Sequence, residues 1–460
     1  MQLRNAIEKI PGFRFMMEKL EVCSALARES LYATPYLCSG EALRSEWDQV
    51  EAVMNILRKP ENREAVAAMR NRLTQVKNIR GTAMRLNEGQ PLDDMELFEV
   101  KAFSLLTVET GALMEKAAIG FLALPNLEPV VELLDPEKTR VPHFYIYHQY
   151  DPELKGLRNR LKALSPTAEE DKEEWEALYH ESLQREDEVR RQLSQKLHAH
   201  GHEITEALFV VSRLDILLAK ASQAMDMHLV KPVIASCTRY SALVNPLLQE
   251  ILHAEGKAFQ PVDLSLTAGA TLITGANMAG KTVLLKTAAL AQTLCQFGFY
   301  VPATTAEIAL VDEVILRTGD EQDETRGLSS FAAEMVELDR ILQTVKTGKK
   351  LLLLLDEPAR TTNPTEGKAI VSALLELLTE YKVSSLITSH YSGIGAACRK
   401  WRVKGFTGQP NQTITMHNIN QYIDYTLMEE TDEEVPHEAL RIAGILGVDE
   451  ELLKIASRYL

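Results

Sequence analysis

The feature that most constrains this chain is the octapeptide GANMAGKT at residues 275–282, which matches the pattern GxxxxGK[ST] in full. The apolar run TLIT precedes it at residues 271–274, and VLLK follows at residues 283–286. A strand, a glycine-rich loop and a helix in this order surround phosphate oxygens with backbone N–H groups and the start of the helix. A glycine turn that binds no ligand is the alternative interpretation at this point.

The side chains of this loop predict ATP and Mg²⁺ as its ligands. Lys281 is expected to reach the β- and γ-phosphates, and the hydroxyl of Thr282 is expected to bind Mg²⁺. The other predicted contacts of the loop with the nucleotide are Gly275, Met278, Ala279, Gly280 and Val283.

Two carboxylates follow a second apolar run. Residues 351–355 are all leucine, and Asp356 and Glu357 come directly after them. Ligands of open parallel sheets bind at the carboxyl ends of the strands, so Asp356 is predicted to bind Mg²⁺ and Glu357 to orient the attacking water. A core strand that simply ends in solvated acids is the alternative, which the nearby phosphate loop disfavours.

A histidine follows a third apolar run. His390 comes two residues after the run at residues 385–388, at a third strand end. It is predicted to sense the γ-phosphate or to hold the water, although a lone histidine commonly has no such role. Lys281, Glu357 and His390 are therefore the predicted catalytic residues.

Hydrophobic spacing predicts several domains of different character. Apolar residues recur at helical spacing in the first half, and Val189, Leu193 and Leu197 give a long helix one narrow apolar stripe that ends before Gly201. Thr167 and Glu170 have the spacing of a capping box.

Short β-type runs alternate with helices from about residue 230, a pattern that is typical of an α/β domain. We predict a helical core at residues 1–140, a lever hairpin at 141–230, an α/β ATPase domain at 231–425 and a helical tail at 426–460.

Composition excludes several classes of protein. The longest apolar run is far shorter than the roughly 18 to 20 residues of a membrane-spanning helix, so no membrane insertion is expected. The five cysteines form no CxxC pair, which favours a reducing cytoplasm over a disulfide framework. The net charge of -15 gives no global attraction to nucleic acid. His198, His200 and His202 could bind a metal, but a solvated hairpin tip is the favoured interpretation.

Several motifs together resemble the ATPase domain of the MutS mismatch-repair family. They are TGANMAGKT, Gly298 with Val301-Pro302-Ala303, Gly327-Leu328-Ser329-Ser330-Phe331 with Glu334-Met335, LLLLLDEPAR and TSHY. That family is similar to ABC-type ATPases in using dimers whose sites are completed across the interface. The resemblance implies an α + α/β chain in which a helical core and lever precede a P-loop, ABC-like ATPase domain. It also implies a homodimer or a heterodimer with a related chain, closed by helices at residues 440–456.

The same resemblance assigns further residues to the nucleotide site. Ser329 and Ser330 would contact the γ-phosphate held by the partner, and Asn277 would line the site. Phe259 would stack on adenine, with a simple core phenylalanine as the alternative. Arg360 would sit in the loop after the acidic pair. The family's second adenine contact, a histidine, has no counterpart near Leu427, so adenine specificity stays open.

Departures from the family pattern leave two functions open. No F-x-E occurs in the sequence, and the acidic stretch between Leu157 and Leu208 leaves little room for a DNA-gripping clamp. We therefore expect a trimmed relative without mismatch-reading domains, without a clamp and without a nuclease extension. One hypothesis is a DNA-associated ATPase that does not read mismatches. The other is a chaperone-like reactivase of a partner enzyme such as a cobalamin-dependent lysine aminomutase. A scaffold without turnover is disfavoured by Glu357 and His390.

Overall fold

The chain forms two compact units in a computed structural model that describes residues 1–164, 171–275, 279–318, 330–391, 393–407, 419–430, 438–445 and 447–459. One unit comprises Met1–Leu20, Thr34–Asp48 and Gln223–Leu460, and the other comprises Glu21–Ala33 and Gln49–Ser222. Residues 165–170 lie outside the described parts of the chain, and with them the predicted capping box of Thr167 and Glu170.

Helices account for the regular structure described in the first 226 residues. They are α1 (Leu3–Lys9), α2 (Phe13–Glu18), α3 (Ala25–Tyr32), α4 (Gly40–Leu57), α5 (Arg63–Leu73), α6 (Arg80–Asn87), α7 (Asp94–Lys116), α8 (Glu128–Leu134), α9 (Pro152–Ala163), α10 (Lys172–His198) and α11 (Gly201–Asp226), with a 3₁₀ turn at Pro60–Asn62. The prediction of a helical first half is confirmed, as is the interruption at Gly201, which begins α11.

The acidic helix α10 is partly neutralised by its neighbour α9. Arg158 and Arg160 of α9 lie 2.8 and 2.7 Å from the carboxylates of Glu186 and Glu174. Val189, Leu193 and Leu197 of α10 are buried, as their spacing predicts. The charge along α10 is therefore less one-sided than the sequence of that helix alone suggests.

Strands and helices alternate from Val233 onward, which confirms the predicted change of architecture. The elements are β1 (Val233–Ile234), β2 (Thr238–Leu243), α12 (Pro246–Ala254), β3 (Val262–Leu266), β4 (Ala270–Thr274), α13 (Lys281–Gln296), β5 (Thr305–Ile308), β6 (Glu313–Arg317), α14 (Ser330–Lys346), β7 (Leu351–Leu355), α15 (Pro364–Glu380), β8 (Ser384–Thr388), β9 (Arg399–Phe406), β10 (Ile423–Glu429), α16 (Glu438–Ile445) and α17 (Glu450–Ala456), with a 3₁₀ turn at Ile419–Tyr422.

Two sheets form from these strands. The order β1-β5-β2-β3 makes a four-stranded sheet, and β10-β9-β4-β8-β7-β6 makes a six-stranded one. In the larger sheet β9, β4, β8, β7 and β6 run parallel, and β10 pairs antiparallel with β9. The parallel strands end at one edge, so the residues after β4, β7 and β8 are brought together there.

The centre of the larger sheet is apolar on both faces. All five leucines of β7 are buried, as are all the residues of β4. Strands covered on both faces by helices carry continuous apolar runs rather than alternating ones, which explains why these segments stand out in the sequence. The rigid strands fix the positions of the polar residues at their carboxyl ends.

The hydrophobicity of the helices and the state of the cysteines bear on the class of protein. Among the described helices, none combines the length and the apolar character that crossing a bilayer requires. The five cysteines all lie in described parts of the chain and are free thiols.

Candidate functional site

The phosphate loop connects the buried strand β4 to the buried helix α13. Gly275 follows β4 with a φ of 137°, and Gly280 precedes Lys281, the first residue of α13, with a φ of 72°. A Cβ atom on Gly280 would lie 2.9 Å from the ring of Tyr425. Glycine is thus needed at this position both for its left-handed conformation and for its small size. Residues 276–278, which include Asn277 and Met278, lie outside the described ranges.

Lys281 is a buried cation at the start of α13. Its ammonium donates a hydrogen bond to the carbonyl of Gly275 at 2.7 Å and lies 3.3 Å from Oε1 of Glu357. Only 4% of its side chain is exposed. A buried ammonium requires anionic or strongly polar partners, and here it has one carbonyl and one carboxylate.

Asp356, Thr282 and Thr388 form a network of oxygen atoms. The hydroxyl of Thr282 donates to Oδ2 of Asp356 at 2.6 Å, and the hydroxyl of Thr388 donates to Oδ1 at 2.6 Å. Thr388 also accepts a hydrogen bond from the backbone N–H of Glu357 at 2.9 Å. Hydroxyl and carboxylate oxygens are the ligands that Mg²⁺ prefers, so Thr282 and Asp356 fit this ion.

Glu357 lies between two basic side chains. One carboxylate oxygen faces Lys281, and the other lies 3.6 Å from Nδ1 of His390. The imidazole is the more exposed partner, with 37% of its side chain accessible against 15% for Glu357. The structure therefore brings together the three residues predicted to be catalytic, although they are far apart in the sequence.

A cavity of about 820 Å³ opens beside the phosphate loop. Phe259 and Tyr425 both line it, together with Ala279, Gly280, Lys281, Thr282, Val283 and apolar residues of α12 such as Leu248 and Leu252. Pockets of this size, mostly apolar with a few polar groups, accommodate small organic ligands. Phe259 thus lines the same cavity as the described residues of the phosphate loop.

Tyr425 is an aromatic residue of this cavity that the sequence analysis did not predict. The position expected to supply the second adenine contact was near Leu427, but Tyr425, two residues earlier on β10, lines the cavity. Burial raises the pKa of the Tyr425 phenol above its ordinary value. The register of β10 against β9 shifts between Asp424 and Leu427, so simple alternation of side chains from Leu427 would not have identified Tyr425.

The remaining predicted site residues are not brought together with this cluster in the described parts of the chain. Ser329 lies outside the described residues, and Ser330 is described only as the first residue of α14. Arg360 is exposed in the segment after β7. His198 and His200 lie at the junction of α10 and α11, where their Nδ1 atoms contact the carbonyl of Leu86 at 2.8 Å and the carboxylate of Glu203 at 2.7 Å.

Within the described ranges, no group of three or more histidine, cysteine, aspartate or glutamate side chains is placed to hold a metal ion. Thr282 and Asp356 together offer fewer ligands than such a cluster, and phosphoryl-transfer enzymes complete the shell of Mg²⁺ with phosphate oxygens and water molecules.

The second half of the chain is similar to known proteins. The family model described as MutS domain V matches residues 271–459. The DNA mismatch repair protein MutS of Thermus caldophilus is 30% identical over 298 residues, which is 65% of this chain and 34% of that protein. Endonuclease MutS2 of Carboxydothermus hydrogenoformans is 34% identical over 215 residues, which is 46% of this chain and 26% of that protein.

The match concerns only part of these relatives. The chain spans about a third or less of their length, 34% and 26% in the two cases above. MutS domain V is an ATPase domain, and it covers β4 to the C-terminal helices of this chain, including the phosphate loop, the acidic pair and His390. Residues 271–459 of this chain therefore form an ATPase domain of the MutS domain V type.

Proposed function

We propose that this chain binds ATP with Mg²⁺ at composite sites in a dimer, hydrolyses it, and uses the cycle to switch the conformation of a bound macromolecule. The observation that carries the proposal is the convergence of Lys281, Thr282, Asp356, Glu357 and His390 at the carboxyl edge of the large sheet. These residues come from three separate strand ends, and each has the chemistry that phosphoryl transfer requires.

Nucleotide binding follows from the loop and the cavity. The start of α13 offers backbone N–H groups and a partial positive charge to the phosphates. Lys281 would exchange its contact with Glu357 for the γ-phosphate, and Phe259 and Tyr425 would enclose the base. Thr282 and Asp356 would hold Mg²⁺, which when bound neutralises charge on the phosphate oxygens.

Hydrolysis would depend on Glu357 and His390. Once Lys281 binds the γ-phosphate instead of Glu357, the carboxylate of Glu357 can accept a hydrogen bond from a water molecule and orient that water. His390, 3.6 Å from that carboxylate and partly exposed, would hold the same water or contact the γ-phosphate. Positioning and charge stabilisation supply most of the acceleration in this class of reaction.

Dimerisation is supported by the apolar surface of the C-terminal tail. Leu452 and Ile455, three residues apart on α17, are 58% and 43% exposed, and Tyr459 is 87% exposed. Residues at this spacing share one face of a helix, so α17 presents an apolar face that a second subunit would cover. A homodimer and a heterodimer with a related chain are both compatible with this surface.

The shared site can be tested by mixing two variants. Ser329→Ala would impair the contact to the neighbour's nucleotide, and Lys281→Ala would impair nucleotide binding in its own subunit. In the mixed dimer one site carries both defects and the other carries neither. We expect each homodimer to be inactive and activity to return partly on mixing. No recovery despite a heterodimer demonstrated by mass spectrometry would contradict a composite site.

DNA is the client that the relatives support. One relative is named a DNA mismatch repair protein and another an endonuclease. This chain contains no F-x-E, so no aromatic wedge and neighbouring acid are available to read a mismatch. We therefore propose that any DNA binding is not selective for mismatches.

A partner protein is the second candidate client, and α10 favours it. Trp175 and Tyr179 stack with ring centroids 4.9 Å apart, and Tyr179 is exposed among the glutamates of the helix. An exposed tyrosine stacked on a half-buried tryptophan among carboxylates suits a protein surface better than a phosphate backbone. A reactivase of a partner enzyme, such as a cobalamin-dependent lysine aminomutase, would use such a surface.

Binding isotherms distinguish the two clients. Matched and single-mismatch duplexes are titrated at two salt concentrations, with and without ATP. We expect no preference for the mismatch and, if DNA binds, a steep loss of affinity with salt. Tight, salt-resistant and mismatch-selective binding would contradict the proposal. Absence of duplex binding, together with a co-purifying enzyme released by ATP, would favour the protein client.

A further inference from the structure

The turn that carries Glu357 has an unfavourable backbone conformation. Glu357 has a φ of 45° and Ala359 a φ of 60°, both in the left-handed region, although neither is a glycine. Such residues persist only where the surrounding structure holds them, and they concentrate at functional sites. Groups outside the turn must therefore hold it in this conformation.

Three side chains bind the backbone of the turn. Thr388 accepts the N–H of Glu357 at 2.9 Å, Glu334 accepts the N–H of Ala359 at 2.5 Å, and the hydroxyl of Tyr391 donates to the carbonyl of Ala359 at 2.8 Å. Ala359 is fully buried, so water cannot replace these partners. Both polar groups of the Ala359 backbone thus depend on side chains from other elements.

The two side chains that bind Ala359 are themselves fixed. The second carboxylate oxygen of Glu334 accepts a hydrogen bond from the hydroxyl of Thr361 at 2.9 Å. Tyr391 is buried, and its hydroxyl approaches Gly367 so closely that a Cβ atom there would lie 2.2 Å away. Glu334 and Tyr391 therefore have defined positions on either side of the turn.

We propose that Glu334 is a positioning residue of the ATPase site, which together with Tyr391 holds Ala359 in its left-handed conformation and thereby directs Glu357 toward Lys281 and His390. The proposal rests on the catalytic role proposed for Glu357. Glu334 lies on α14 and acts through the backbone of the acidic turn.

Loss of Glu334 would affect catalysis more than binding. Without its carboxylate the buried N–H of Ala359 has no acceptor, and the turn is expected to relax toward a right-handed conformation. Glu357 would then lose its alignment, while Lys281, Thr282 and the cavity would keep their positions. The expected signature is a lower kcat with an unchanged affinity for nucleotide.

The first experiment compares substitutions on one helix. For Glu334→Ala we expect kcat to fall about tenfold or more while the affinity for a non-hydrolysable ATP analogue stays within about twofold. Glu334→Gln keeps an oxygen that can accept the N–H of Ala359, so its kcat should be close to wild type. Glu337→Ala is the matched control, because Glu337 lies one turn further on α14 and binds Arg317 at 2.7 Å instead.

The second experiment tests the backbone conformation itself. Glycine adopts a positive φ without strain, so Ala359→Gly should restore part of the kcat lost in Glu334→Ala when the two substitutions are combined. A residue that only stabilised the fold would not be rescued in this way. Tyr391→Phe removes the other hydrogen bond to Ala359 and should lower kcat with the affinity for nucleotide unchanged. This variant tests the same turn independently if Glu334→Ala folds poorly.

The proposal is overturned if Glu334→Ala hydrolyses ATP at the wild-type rate, or if the Ala359→Gly combination restores nothing. Glu357→Gln, measured in parallel, separates this outcome from a failure of the proposed mechanism. A wild-type rate in Glu357→Gln would remove the catalytic role of that residue, whereas an inactive Glu357→Gln beside a fully active Glu334→Ala would reject only the positioning role.

Discussion

The phosphate loop and the acidic turn lie at the carboxyl ends of two strands of the same sheet, but they reach their conformations by different means. The phosphate loop uses glycine at its described positive-φ positions, Gly275 and Gly280. The acidic turn uses Glu357 and Ala359, and the cost of their left-handed backbone is offset by hydrogen bonds from side chains elsewhere.

The phosphate loop and the acidic turn therefore differ in how strongly their conformations depend on other elements. Glycines give the loop a conformation that depends little on the rest of the protein, as is suitable for a site that binds phosphate. The acidic turn depends on α14 and on the end of β8, so the alignment of Glu357 is sensitive to the positions of those elements. We infer that binding is set locally by the loop and that hydrolysis is set by contacts spread over the domain.

The largest expected effect comes from the loop. Lys281→Ala removes the cation from the phosphate site, where each hydrogen bond to a charged group contributes about 1.5 to 3 kcal/mol. We expect nucleotide binding and hydrolysis to be lost together, as measured by calorimetry and by phosphate release. Circular dichroism checks the fold, and near-normal ATP affinity in a folded variant would refute the assignment of the phosphate loop.

A smaller effect is expected at the acidic turn. Thr388→Val keeps the shape of the side chain but removes the hydroxyl that binds Asp356 and the N–H of Glu357. An unsatisfied buried group costs about 1 to 3 kcal/mol, so kcat should fall about tenfold while ATP affinity without Mg²⁺ is kept. Thr388→Ser restores the hydroxyl and should recover most of the rate. Equal rates in the valine and serine variants would exclude this role.

The smallest effect is expected in the cavity. Tyr425→Leu removes an aromatic ring beside the position proposed for the base, and stacking on a base is worth about 1 to 3 kcal/mol. ATP affinity should fall about fivefold, which corresponds to the lower end of that range, whereas affinity for inorganic tripolyphosphate should not change. Tyr425→Phe keeps the ring and serves as the control. A parallel loss for both ligands would show that Tyr425 supports the loop rather than the base.

The sequence predicted the phosphate loop and its neighbours because local patterns determine them. The runs at residues 271–274, 351–355 and 385–388 are strands, and the polar residues that follow them do converge. Each of these predictions needed only an apolar run and the residues directly after it. The rule that ligands bind at the carboxyl ends of parallel strands supplied the rest.

The partners of the acidic turn could not be predicted in the same way. Glu334 and Ala359 are 25 residues apart, and Thr388 and Glu357 are 31 residues apart, so no local pattern links them. The left-handed conformation of Glu357 and Ala359 is also invisible in the sequence, because neither is the glycine that usually marks it. The ion pairs between the arginines of α9 and the glutamates of α10 also join residues of separate helices, so no local pattern predicts them.

The most direct test of the central claim is a paired measurement on Glu357→Gln. The substitution keeps the shape of the side chain and the phosphate loop but removes the carboxylate that would orient water. Equilibrium binding of ATP and single-turnover hydrolysis are measured on the same preparation, beside the wild type. We predict wild-type affinity with hydrolysis slowed by about a hundredfold or more. Hydrolysis at the wild-type rate, or loss of affinity in step with rate, would contradict the separation of binding from hydrolysis.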